Sequence, residues 1–176
     1  MTATWRATSQ TIAYASGKSM LDVSQLSTGS RVLRVYRMYH FNNRASSVTG
    51  VLTQMRIYRT TVGASISGGS TVTPVAHDTS SSALAADTTA GTGRTLTNST
   101  LFRQYQYSTD EAAVSGSTID EWELFVPFAE VWQAGYGDTN VEPLTLRAAQ
   151  GVNLHHQGTT AASDCDMEIE FTDAAS

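Results

Sequence analysis

Along most of this chain apolar side chains recur at every second residue, and almost nowhere at the spacing of a helix face. A strand sends successive side chains to opposite faces, so period-two alternation defines a half-buried β-strand. The cleanest example is "CDMEIEFT" (165–172). Met167, Ile169 and Phe171 form an apolar row there, and Asp166, Glu168, Glu170 and Thr172 form the opposing polar row. "GVNLHHQG" (151–158) repeats the pattern: Val152, Leu154 and His156 share one face, Asn153 and His155 the other. "GVLTQMRIYRTT" (50–61) sets Val51, Met55 and Ile57 against Gln54, Arg56 and Tyr58. "IDEWELFVP" (119–127) sets Trp122, Leu124 and Val126 against Glu121 and Glu123. In "RVLRVYRMYHFNN" (31–43) Leu33, Val35, Tyr39 and Phe41 fall on one parity and Val32, Tyr36 and Met38 on the other. Apolar groups on both faces mark a central or interfacial strand. "TIAYAS", "STVTPVAH", "LFRQYQYS" and "EPLTLRA" are shorter strand candidates, while "DVSQL" and "FAEVWQA" are the two short helix candidates.

Strands about ten residues apart, broken by Gly, Asn or Ser, predict an all-β chain folded as a two-sheet antiparallel sandwich. With eight or so strands in 176 residues, the expected topology is a jelly roll in one domain spanning 1–176. Ser and Thr supply about a quarter of the residues, which suits strands because β-branched side chains pack well on a pleated surface. Two segments stand apart. Residues 77–100 are small and polar and read as a long Ser/Thr/Ala-rich loop or arm. Residues 1–11 read as an extended N-terminal arm with Trp5 as its anchor.

The net charge of −5 disfavours nucleic acid as a partner, because phosphate binding needs a basic surface. No run of residues approaches the length and apolarity of a membrane span, and the N-terminus has no basic-then-apolar pattern, so the chain is expected to be made in a cytoplasm. Lys18 is the only lysine beside ten arginines, a bias that fits bidentate pairing at interfaces. Arg34, Arg37, Arg56 and Arg59 are the candidates for pairing between subunits, with Trp5 and Tyr36 as aromatic anchors. Cys165 is alone, so no disulfide forms within the chain. It sits between Asp164 and Asp166, whose charge disfavours a thiolate and makes it a poor nucleophile.

Chemistry-bearing patterns are few. Adjacent His155 and His156 point to opposite faces of a strand and cannot share a metal. The acidic row Asp166, Glu168, Glu170 reads as a solvated or partner-facing surface. In "VWQAGYGDTNVEP" (131–143), Trp132, Tyr136, Asp138, Asn140 and Glu142 make a rigid aromatic loop that could take calcium or a glycan. It shares only the D-x-N start of a calcium loop. No nucleophile elbow, zinc-protease helix motif, P-loop or Cys-x-x-Cys pair occurs, so no catalytic residue, metal or cofactor is expected.

Taken together, "VLRVYRMYHFNN", "VTGVLTQMRIYRTT", "DEWELFVP", "VWQAGYGDTNVEPLTLRAAQGVNLHHQG" and "MEIEFT" resemble small virion proteins of tailed bacteriophages. The similarity is to jelly-roll capsid decoration (cement) or minor capsid proteins. It runs from about residue 31 onward and rests on diffuse patterns. The resemblance implies a non-enzymatic protein on the capsid surface, a homo-oligomer (a trimer in the favoured case) bound to the major capsid protein. A carbohydrate-binding sandwich using Trp132, Tyr136, Asp138 and Asn140 is the alternative expectation.

Overall fold

In a computed structural model, the residues described are 2–13, 15–43, 52–108, 128–134, 141–158 and 164–175. They form β1 (Thr4–Ala13), β2 (Ser19–Gln25), β3 (Arg31–Asn43), β4 (Leu52–Thr61), β5 (Ser67–Val72) and β6 (Val75–Ala76). The second half supplies β7 (Thr88–Thr95), β8 (Thr97–Ser108), β9 (Phe128–Gln133), β10 (Leu144–Leu146), β11 (Gln150–His156) and β12 (Asp164–Ala175). There is no helix among the described residues.

The strands form two antiparallel sheets. One runs β10-β3-β12-β1-β6, with β9 also on β3; the other runs β5-β7-β2-β11-β4-β8. Within these lie β1-β12-β3-β10 and β2-β11-β4-β8, the two four-stranded sheets of a jelly roll, and the chain alternates between sheets from β1 to β4. The insertion between β4 and β8 widens the sandwich: β5 and β7 extend the second sheet beyond β2, and β6 extends the first beyond β1. β9 and β10 lie end to end along one edge of β3, β9 opposite residues 37–41 and β10 opposite 33–35.

Between the sheets lies one apolar core that includes Trp5, Leu21, Val23, Met38, Ile57, Leu154, Met167 and Phe171. Burying a side chain of this size stabilises the fold by roughly 1.5–3 kcal/mol. In β12 Met167, Ile169 and Phe171 are buried as read, and in β11 Val152 and Leu154 enter the core, although Asn153 and His155 on the opposite face are buried too. Along β3 the parity switches. A register irregularity opposite Glu170 and Phe171 leaves Tyr36 extra between Val35 and Arg37. A bulge of this kind reverses every later side chain, so Leu33 and Val35 are followed into the core by Met38. His40, on the same parity as Met38, is fully buried.

Several expectations are corrected. "DVSQL" belongs to β2, buried along its whole length, and "FAEVWQA" supplies β9. Pairing with neighbouring strands overrides the helical reading of such short stretches. Residues 1–11 are no arm, because β1 is hydrogen-bonded to β12 on one side and β6 on the other. Of 77–100, only 77–87 is irregular; from Thr88 onward the chain is strand. Gly69 permits the pairing of β5 with β7. Its positive φ suits glycine, and a Cβ there would collide with the Thr92 carbonyl. "IDEWELFVP" lies outside the described residues.

Candidate functional site

Three of the residues nominated from sequence, Arg59, Trp132 and Glu142, meet at one flank, where the edge of one sheet (β8) faces the edge of the other (β9 and β10). A groove of about 210 Å³ opens there, lined by Arg59, Phe102, Trp132, Glu142, Pro143 and Thr145 among others. Trp132 and Phe102 pack edge to face, centroids 4.7 Å apart. Arg59 Nη1 donates to the Thr145 carbonyl at 3.0 Å, tying β4 of one sheet to β10 of the other. Trp132 Nε1 is buried and has no hydrogen-bond partner among the described residues. A buried donor left unpaired is unfavourable by about 1–3 kcal/mol. Leu101, beside Phe102, and Val141, beside Glu142, are about half exposed, at 48% and 45%. Trp132 and Glu142 of the predicted aromatic loop thus come together here with Arg59. Tyr136, Asp138 and Asn140 lie outside the described residues.

The other nominated residues are spread over the sandwich. Trp5 is 7% exposed and part of the core, so it anchors β1 within its own chain rather than to a neighbour. Tyr36 is half-buried at the β3 bulge, where its carbonyl accepts from the Ala134 amide. Arg37 donates to the Tyr39 hydroxyl at 3.1 Å. Arg56 donates to Gln104 at 2.9 Å and to Tyr58 and Gln157 at 3.0 Å each. Three of the four arginines therefore cross-link their own chain. Arg34 is exposed.

The acidic row of β12 is partly covered by groups of its own chain. Arg6, on adjacent β1, contacts Glu170 at 2.5 Å and Glu168 at 3.6 Å, and His77 stands 3.7 Å from Glu170. The Thr11 amide donates to Asp166 at 2.5 Å. These contacts hold the Arg6 guanidinium above its ordinary pKa, first through the Glu170 hydrogen bond. Burial raises Glu168, with Arg6 opposing.

The four histidines divide. His155 faces outward, edge-on to Tyr58 with centroids 5.6 Å apart and 3.0 Å from Gln157. His156 faces inward, as strand parity requires, toward the end of the core that holds His40. The Tyr105 hydroxyl lies 3.3 Å from His40 Nδ1. Burial, then the neighbouring His156, lowers His40 to about 3. Burial also lowers His155 and His156. Cys165 is buried in the core and is not part of a disulfide. No group of three or more metal-ligating side chains forms among the described residues.

Sequence reasoning missed one pair outright. Asp22, on β2, is fully buried and lies 3.3 Å from Arg94 on β7, itself almost fully buried. Arg94 also donates to Thr89 at 3.0 Å and Thr71 at 3.4 Å. The side chain lies flat across Gly91, where any Cβ would collide with it. Burial lifts Asp22 to about 7, with Arg94 pulling the other way. The available signals were an acid inside the apolar run "SMLDV" and an arginine just after "GTG".

No protein-family model, no curated protein and no solved structure matches this chain.

Proposed function

We propose that this chain is a non-enzymatic structural protein of a tailed-bacteriophage virion, a decoration protein that sits on the outer capsid surface and clamps neighbouring capsomers. The observation that carries the reading is the jelly-roll strand order, an architecture that recurs in viral shells and in lectins. A fold alone does not define a role, and the β8/β10 flank adds the second support. It combines a twelve-residue edge strand paired only with β4 among the described strands, the Trp132 groove and the half-exposed Leu101 and Val141. Unpaired strand edges are ready-made contact surfaces, and the two register irregularities where β8 meets β4 keep this one from open-ended pairing. Arg6, Arg31, Arg37, Arg56, Arg59 and Arg94 are engaged by groups of their own chain, which favours a rigid body gripping through apolar and edge contacts over one gripping through ion pairs. Three copies around a symmetry axis would each present this flank to the major capsid protein, and multivalency would multiply a weak single contact.

Titration onto undecorated capsids tests the reading. Saturable binding and a higher capsid melting temperature are expected, with a trimer in native mass spectrometry. Trp132→Ala should weaken binding by roughly 30-fold, the loss of a central aromatic anchor. Absence of saturable binding by well-folded protein would sink the proposal. The carbohydrate reading at 131–143 draws no support at this flank beyond Trp132 and Glu142.

A further inference from the structure

At the other end of the sandwich, where β1 begins and β12 ends, residues 77–83 close over a cavity of about 760 Å³. Its lining is hydroxyl-rich, from Thr2, Thr4 and Ser80–Ser82, and Arg31, His77, Asp78 and Asp173 also line it. Asp173 is the unusual member. It continues the core-facing row of β12, and its side chain is only 5% exposed. Oδ2 accepts from the Ala85 amide at 3.3 Å and the Thr88 hydroxyl at 3.4 Å. Oδ1 is buried, receives no hydrogen bond among the described residues, and stands 3.7 Å from Arg31 Nε. A desolvated carboxylate oxygen in that position calls for a donor.

The lining selects the chemistry of that donor. An anion would meet Asp173 and Asp78. A metal ion would find no set of three ligating side chains among the described residues. A ligand carrying many hydroxyls satisfies each group at once: it donates to Asp173, accepts from Arg31, and exchanges hydrogen bonds with the Ser and Thr hydroxyls. The volume falls in the range of ordinary small-ligand sites. We propose that this cavity is a binding site for a neutral saccharide of one or two rings, oriented by Asp173 and Arg31. The site is independent of the β8/β10 flank, so saccharide binding and capsid binding stand or fall separately.

The test titrates isotope-labelled protein with glucose, galactose, mannose, N-acetylglucosamine and lactose, following amide resonances. At least one sugar is expected to shift the resonances of 77–83 and 173–175, with a dissociation constant on the order of 1 mM. Asp173→Asn should weaken that binding by roughly tenfold through loss of a charge-assisted hydrogen bond. Ser82→Trp, at an exposed loop position, should fill the cavity and abolish binding while leaving the melting temperature unchanged, which keeps the test valid if Asp173→Asn folds poorly. The proposal is overturned if no sugar shifts these resonances at about 50 mM, well above that affinity. It is equally overturned if the shifts map to Trp132 and Phe102, or if folded Ser82→Trp binds like the parent.

Discussion

Arg94→Met is expected to destabilise the protein by about 3–5 kcal/mol, because it leaves the Asp22 carboxyl buried without its guanidinium. For a chain of this size that corresponds to a drop of roughly 10 °C in melting temperature. The arginine does more than offset charge. Its bonds to Thr71 and Thr89 pin β5 and β7 together, and its contact with Asp22 pins that pair to β2. The pH dependence separates these roles. Asp22 titrates at about 7 in the fold, above its unfolded value near 3.9. A raised carboxyl favours the fold in its neutral form, so its contribution is complete below about pH 4 and is lost as pH rises through 7. Without Arg94 the folded value rises further, and the deficit of Arg94→Met should be larger at pH 8 than at pH 5. Urea denaturation at the two pH values measures it. A deficit that does not change with pH would mean that Asp22 stays neutral in both proteins. Asp22→Asn combined with Arg94→Met should recover part of the loss.

The second large effect runs the opposite way in pH. His40 titrates at about 3 in the fold, against an unfolded value near 6.5. A lowered histidine favours the fold in its neutral form, so its stabilisation is present above pH 6.5 and is lost as pH falls toward 3. By pH 4 the loss amounts to about 3 kcal/mol from this residue alone. His155 and His156 shift in the same direction. Among the described residues, the Tyr105 hydroxyl and His156 face His40, and neither offers a negative charge to a buried imidazolium. His40→Asn, which keeps an acceptor near the Nδ1 position, should lose distinctly less stability than the parent between pH 7 and pH 4. Parallel pH profiles for the two proteins would show that His40 is hydrated or paired on protonation.

Much of the architecture was legible from the sequence because strand alternation is a local property. The rows Met167, Ile169, Phe171 and Val152, Leu154, His156 could be read directly, and with them the all-β class and the separation of the two histidines. The β3 bulge could not be read, because an extra residue leaves no trace in the alternation until a partner strand sets the register. β2 was mistaken for a helix start because its polar residues Asp22 and Ser24 break the apolar pattern. Asp22 is buried against Arg94, from a strand some seventy residues away, and Ser24 against Gly151 of β11. The site was half legible. Trp132 and Glu142 announced an aromatic loop, but nothing near them in sequence pointed to Phe102 or Arg59 as the facing wall of the groove.

The arginines draw the same line most sharply. Their excess over lysine was plain from composition, and planar, multi-donor groups were bound to seek acceptors. Whether those acceptors belonged to the same chain was a matter of strand order. Pairing β1 with β12 set Arg6 beside Glu168 and Glu170, and folding β7 against β2 set Arg94 over Asp22. The sequence by itself determined which faces are apolar and which side chains carry charge, because alternation along a strand depends only on neighbours. Which charges meet was decided by the tertiary structure, because that depends on strands brought together from opposite ends of the chain.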